Sequence, residues 1–406
     1  MEALDIQKGL YRTLLKKMKG CTFAVTFWDG ETDIYNDVNG SEPIFHLTFK
    51  EKIPASTLMS DAQLKLGEAY MQGKLVMDGD LKEILQLAAE NANLFDQEDS
   101  SGILQQFLKR QKHVSSEKQA DGVKYHYNLG NDFFKLWLDP TMSYSCAYFR
   151  TYDDPLEKAQ MQKIDHTLRK LNLKPGETLL DIGSGWGWLI INAAKKYGVK
   201  SLGITLSEEQ YHETTQRIEE EGLKEMVQVR LIDYRSLASE KPLFDKIVSI
   251  GMFEHVGKDY FSEYFEAVNR MLKPGGLSLL HTITRPKEGP TNPWLQKYIF
   301  PWGYIPSFRE VIWELPEYGF HLLDAESLRM HYSITTDHWA KNFEQVAEQV
   351  QEQYGEEFVR MWRLYLNGCS VTFACTGLDI HQILFSKGLN NNHPLTREHI
   401  YLNTGG

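Results

Sequence analysis

A chain of 406 residues with 42% hydrophobic and 24% charged residues has the length for two or three domains and the composition of a folded protein, which excludes a disordered one. Its formal net charge of −11 argues against nucleic acid as a partner and confines any contact with an anionic bilayer to local patches. Cys21, Cys146, Cys369 and Cys375 lie far apart, without the CxxC or CxH spacing of a zinc site, so no metal is expected and the compartment reads as reducing and cytoplasmic.

The N-terminal region lacks the apolar run of a signal peptide or membrane span, and the chain is expected to be soluble. Residues 4–18 place Leu10, Leu14 and Met18 at helical spacing among Lys8, Arg12, Lys16, Lys17 and Lys19, which predicts an amphipathic helix. Strand-like runs follow at 22–28 and 44–49, then helical patterns at 61–71 and 80–91, separated by Gly73 and Gly79. Residues 1–105 therefore read as a small α+β domain that binds lipid or docks, and polar residues 106–122 as a linker. A solvated connector is its plain reading; its basic residues also offer a patch for phospholipid head groups.

Residues 123–406 read as the catalytic domain. Short apolar runs at 178–182, 200–205, 227–232, 246–250 and 277–283 alternate with helical stretches at 188–197, 208–221 and 260–272. That alternation predicts a mostly parallel Rossmann-like sheet with helices on both faces, binding its ligand beyond the carboxyl ends of the strands. Beyond Pro306 the pattern is mainly helical to the end, and residues 343–366 are expected to form either a dimer interface or a simple cover.

Segment 179–187, LLDIGSGWG, runs an apolar strand into three glycines just before a helix. Glycine lets the backbone turn sharply and approach a ligand without a Cβ in the way. The spacing is not the dinucleotide GxGxxG, because Trp188 stands where the last glycine belongs, and no GK[ST] follows. It resembles the DxGxGxG loop of class I S-adenosylmethionine-dependent methyltransferases. On that resemblance Asp181 steadies the loop, and Gly183 and Gly185 make room for the methionine part. The next strand ends without the acidic residue that often holds the ribose; Thr205 and Gln210 offer polar contacts there beside Leu206, although Ser207 and Gln210 also fit a helix cap. Asp233, Tyr234 and Arg235 close the third strand, where this fold usually holds adenine, and Gly251 follows the fourth.

Segments 125–134 (YHYNLGNDFF), 138–149 (LDPTMSYSCAYF), 251–257 (GMFEHVG) and 280–283 (LHTI) resemble the cyclopropane fatty acid synthase and mycolic acid synthase family. Segments 292–301 and 331–339 extend the resemblance across roughly residues 120 to 390. Segments 66–70 (LGEAY) and 79–81 (GDL) resemble the N-terminal domain of the phospholipid-acting members. The family resemblance implies transfer of the methyl of S-adenosylmethionine to a cis double bond of an unsaturated phospholipid acyl chain, followed by ring closure. It implies a bound bicarbonate ion as the base, held by Glu254, His281, Tyr332 and the backbone near Cys146 and Ile283, with Tyr144 and Ser145 at the cofactor. It further implies a homodimer in peripheral contact with the inner face of the membrane.

An alkene is a poor nucleophile, so the sulfonium methyl must be held against the π bond. The resulting carbocation needs electron-rich walls and exclusion of water, for which Phe149, Phe253, Tyr298 and Trp302 are candidates alongside their ordinary role as core. Cys146 reads as a small buried residue rather than a nucleophile, with Cys369 a secondary candidate for a reactive thiol. Two other outcomes stay open: methyl-branched or methylene lipids formed from the same cation, and methylation of an amine.

Overall fold

The computed structural model describes residues 6–37, 40–92 and 129–401. The expected boundary near 105, the linker at 106–122 and residues 125–128 of the first family segment lie outside them. The chain forms two compact units that interleave in sequence: Met1–His113 with Asn292–Ile299 and Thr336–Gly377, and Val114–Thr291 with Phe300–Thr335 and Leu378–Gly406.

The first unit holds a four-stranded sheet, order β2-β1-β3-β4, built from β1 (Phe23–Thr26), β2 (Thr32–Tyr35), β3 (Phe45–Phe49) and β4 (Leu75–Asp78). Strands β2 and β4 have four residues each, and the sequence reading missed both; β2 is mixed in polarity, and the apolar run of β4 is only Leu75–Met77. The first helix spans Ile6–Leu15, and its buried side is not the expected stripe. Met18 is buried as expected, but Leu10 is exposed and Leu14 half-buried, whereas Tyr11 and Leu15 are buried. The Tyr11 ring packs edge-on against Phe27, Trp28 and Phe49, which rotates the helix by about one residue, or 100°. Buried Lys8 pairs with Asp29 and Glu31, and Arg12 with Asp33 and Glu31, so this part of the basic face is spent on ion pairs.

Helix Glu356–Cys375 packs on helices Ala55–Met71 and Leu81–Glu90 of the same unit. Phe343, Val350, Val359, Trp362 and Leu366 are buried there, so residues 343–366 cover this unit's own interior.

The second unit holds a seven-stranded sheet, order β10-β11-β9-β8-β5-β6-β7. Its strands are β5 (Thr178–Ile182), β6 (Lys200–Thr205), β7 (Val227–Leu231), β8 (Phe244–Ile250), β9 (Leu272–Thr284), β10 (Phe320–Ser327) and β11 (Asp379–Lys387). Strands β7, β6, β5, β8 and β9 run parallel; β11 and β10 add antiparallel beyond β9. The region beyond Pro306 is mainly helical, as expected, but these last two strands lie within it and the sequence reading missed both. In β11 six of nine residues are buried, so its apolar run carries no clean alternation to mark it as a strand.

Along β5, Leu180 and Ile182 join one core with Phe265 and Phe385, while Leu179 joins a second with Leu168 and Ile190. Successive side chains leave opposite faces, so a five-residue apolar strand feeds both cores. Chain order reverses between β5 and β8, which opens a crevice at their carboxyl ends. No helix among the described residues is long and apolar enough to cross a membrane.

Candidate active site

At the end of β5 the chain turns through Gly183 (φ +84°) and Gly185 (φ +52°), both left-handed. A Cβ at Gly183 would come within 3.0 Å of Met252, whereas one at Gly185 would enter open space. The loop is therefore packed on one side and leaves room on the other, a cradle that suits a close-lying ligand. All the residues expected at the cofactor line one pocket. Asp181, Gly183 and Gly185 come from β5 and its loop, and Thr205, Leu206 and Gln210 from β6 and the turn and helix after it. Asp233, Tyr234 and Arg235 follow β7, Gly251 follows β8, and Tyr144 and Ser145 come from the segment before the sheet.

Ser207 caps helix Glu208–Glu220 by accepting from the Gln210 N–H, while the Gln210 side chain accepts from Thr205 Oγ1 at 2.7 Å. Capping thus accounts for Ser207 and leaves the Gln210 side chain at the pocket wall. Asp233 caps helix Tyr234–Ser239 and receives both Arg235 Nε and Nη2 at 2.7 Å, which makes a stiff polar rim.

A helix that supports the pocket, and whose Lys163 lines it, escaped the sequence reading. Helix Leu156–Lys170 turns Gln160, Lys163, Thr167 and Lys170 inward, all buried. Gln160 donates to the Ser143 and Ser145 carbonyls at 3.1 and 3.0 Å and so holds the Tyr144–Ser145 segment in place. Lys163 donates to Ser145 Oγ at 3.0 Å; burial pulls its ammonium down to about 8, against the opposing pull of Asp139, Cys146 and Asp181. Burial likewise pushes Asp181 up to about 7, only partly offset by Lys163, and its Oδ1 has no hydrogen-bond partner among the described residues. A polar stripe at helical spacing on a buried helix face was the available signal.

Backbone pairing links the segments that carry Cys146, Glu254, Ile283 and Tyr332, and His281 lies two residues before Ile283 on β9. Glu254 Oε1 accepts from the Ile283 N–H at 2.7 Å, and Ile283 pairs with Ile380 across β9 and β11. The Ile380 carbonyl accepts from the Leu328 N–H, and the Leu328 carbonyl lies 3.1 Å from the Tyr332 N and 4.0 Å from Cys146 Sγ. These segments meet the pocket where the Gly251 N–H donates to the His281 carbonyl at 2.9 Å.

His281 is 0% exposed, and burial holds its imidazole well below the ordinary range, with Lys163 and Lys170 acting in the same direction. Burial raises the Glu254 carboxyl against the Ile283 hydrogen bond. His281 Nε2 and Glu254 Oε2 are both inaccessible and without a hydrogen-bond partner among the described residues. Burial pushes the Cys146 thiol up, the opposite of what a nucleophile needs. Cys369 sits in the first unit, its thiol raised to about 12 by burial.

Of the wall candidates, Phe253 stacks on Phe261 and meets Tyr264 edge-on in the core, and Tyr298 belongs to the first unit, bonded to Glu68. Phe149 is buried beside His331, and Trp302 is 45% exposed.

A doubly wound sheet with a glycine-loop pocket across its parallel strand ends is the architecture of S-adenosylmethionine-dependent methyltransferases. The model of the family "Mycolic acid cyclopropane synthetase" matches residues 114–383, and the chain belongs to that family. It is an S-adenosylmethionine-dependent transferase. A second family model, of a domain of unknown function, matches residues 10–100. The chain is 38% identical to a probable fatty acid methyltransferase of Pseudomonas putida over 92% of its own length and 95% of that protein. It is also 38% identical to the cyclopropane-fatty-acyl-phospholipid synthase of Escherichia coli K12, over 89% of this chain and 92% of the other. The crystal structure of the mycolic acid cyclopropane synthase CmaA1 with S-adenosylhomocysteine and CTAB superimposes with a TM-score of 0.62 at 36% identity, covering 66% of this chain and 98% of that one.

Proposed function

We propose that this chain transfers the methyl of S-adenosylmethionine to the cis double bond of an unsaturated acyl chain in a membrane phospholipid and closes a cyclopropane ring. It does so as a cytoplasmic homodimer in peripheral contact with the membrane. The observation that carries the reading is the pair of buried, unpartnered atoms His281 Nε2 and Glu254 Oε2. Such atoms are costly to bury unless a ligand completes them. Phospholipid as substrate is supported by the match to the Escherichia coli synthase over most of both chains, the N-terminal region included.

The open side of Gly185 and the unpaired Oδ1 of Asp181 fit the polar methionine end of S-adenosylmethionine, and the Asp233–Arg235 rim fits its nucleoside. Bicarbonate, when bound, supplies the base that takes a proton from the methylated cation. His281 would donate to that anion and Glu254 would accept from its hydroxyl, with Tyr332 and the backbone near Cys146 completing the shell. The Ile283 N–H holds the Glu254 carboxylate, so Ile283 contributes by orienting an anion holder.

The test is incubation of the chain with labelled S-adenosylmethionine and unsaturated phospholipid vesicles in carbon-dioxide-depleted buffer, with and without bicarbonate, followed by mass spectrometry of the lipid. A bicarbonate-dependent product that has gained CH2 and lost its alkene is expected. The Pseudomonas putida relative is named a probable fatty acid methyltransferase, which supports as a second reading methyl transfer to the acyl chain without ring closure. A branched or methylene lipid would reject ring closure, and methylation of an amine alone would sink the proposal.

A further inference from the structure

His281 and Gln382 face each other across β9 and β11, so their side chains leave the same face of the sheet. Both are 0% exposed, as is Thr167 of the helix Leu156–Lys170 that packs over them. Three hydrogen bonds join them in a line. Thr167 Oγ1 donates to the Lys163 carbonyl at 2.8 Å, Gln382 Nε2 donates to Thr167 Oγ1 at 3.2 Å, and the same nitrogen lies 3.2 Å from His281 Nδ1.

The direction of this line follows from its end. A backbone carbonyl can only accept, so the single hydroxyl proton of Thr167 is spent on Lys163, and Thr167 must accept from its other neighbour. The atom of Gln382 beside Thr167 is therefore the amide nitrogen, which has a second proton for His281. His281 Nδ1 must then be the acceptor. Burial keeps the ring neutral, so one ring nitrogen carries the only proton.

We infer that Gln382 is a positioning residue: through the Lys163–Thr167–Gln382 line it fixes His281 as the Nε2–H tautomer, so that the ring presents a donor to the anion held with Glu254. The inference rests on the anion site of the proposed function. It explains why a fully buried amide stands in a mostly buried strand, and why the nitrogen left without a partner is Nε2. The opposite tautomer would aim a lone pair at a negative ion.

The experiment uses the full chain labelled with 15N-histidine. Two-bond 1H–15N spectra, with the His281 signals assigned by their loss in His281→Asn, should show a neutral ring protonated at Nε2 in the wild type. This readout requires no altered Gln382. In Gln382→Met, close in size but unable to donate, the ring should lose that preference. The bicarbonate needed for half-maximal product formation should then rise about tenfold, with S-adenosylmethionine affinity by calorimetry unchanged. Thr167→Val, which frees the amide to turn over, should shift both readouts in the same direction. A wild-type ring protonated at Nδ1, or an unmoved bicarbonate requirement in Gln382→Met, would overturn the assignment. Wild-type turnover indifferent to bicarbonate would instead overturn the anion site and, with it, the purpose of Gln382, while the spectrum would still decide the tautomer.

Discussion

Asp181 and Lys163 show how a binding pocket is made at the expense of stability. Between the ordinary carboxyl value of 3.8 and about 7, the folded chain holds a proton on Asp181 that the unfolded chain has lost. Its contribution therefore makes stability fall as pH rises through that window. Asp181→Asn should melt progressively higher than the wild type between pH 5 and pH 8 while binding S-adenosylmethionine about tenfold more weakly, by scanning calorimetry and titration. Lys163 works in the reverse sense. From about 8 to 10.5 the unfolded chain holds a proton that the folded chain has released, so the burial cost is fully present below pH 8. Lys163→Met should gain stability at pH 7, and an equal or lower melting temperature there would contradict this account. Gly185→Ala separates backbone from ligand effects. The left-handed φ of +52° costs a Cβ-bearing residue about 1–2 kcal/mol, and because the Cβ meets no protein atom, the larger loss should be in cofactor affinity.

At the scale of elements, helix Leu156–Lys170 is the part that connects the pocket, the buried His281–Gln382 pair and the sheet edge. Its Lys163 lines the pocket, its Thr167 meets Gln382, and its Lys170 lies 2.5 Å from Glu326 on edge strand β10, where His166 also bonds. Burial opposes the charge on Glu326, but His166 and Lys170 together outweigh it and hold the carboxyl at about 2. A depressed acid contributes stability above its unfolded value of 4.5 and loses it as pH falls toward 2. Glu326→Gln leaves Lys170, 1% exposed, with only the more distant Asp324 at 3.8 Å as counter-charge, and should cost about 3 kcal/mol in urea unfolding at pH 7. The deficit should shrink toward pH 3; one that stays constant with pH would show that packing, not the ion pair, was lost.

For the whole molecule the interleaving of the units matters most. Helix Glu356–Cys375 packs against helices Ala55–Met71 and Leu81–Glu90, and Arg360 donates to the Met71 carbonyl at 3.3 Å. Removing residues 1–105 would strip the cover from apolar side chains such as Trp362 and Leu366. The truncated chain should therefore aggregate or melt well below the full chain by light scattering and calorimetry; a shortened protein as stable as the parent would overturn this. Charge-reversal of exposed residues in the first unit is thus a cleaner probe of lipid contact than deletion.

The central strands and glycine turn were legible because short apolar runs alternate with amphipathic helices, and because Gly183 and Gly185 mark left-handed backbone that other residues avoid. Sequence order alone placed the pocket at the strand ends, since a right-handed parallel crossover leaves few topologies. Strands β10 and β11 were not legible. Their pairing partners lie far off in the chain, and a mostly buried strand loses the alternation that identifies it. Nor could the sequence show that Thr167 and Gln382, 215 positions apart, share a hydrogen bond that sets which nitrogen of His281 carries its proton. Residue types and spacing determined the family and the cofactor pocket, because those depend on local backbone geometry. Tertiary structure alone decided the buried hydrogen-bond partners, the burial of charged groups and the interleaved units, because burial and contact are properties of neighbours that only folding supplies.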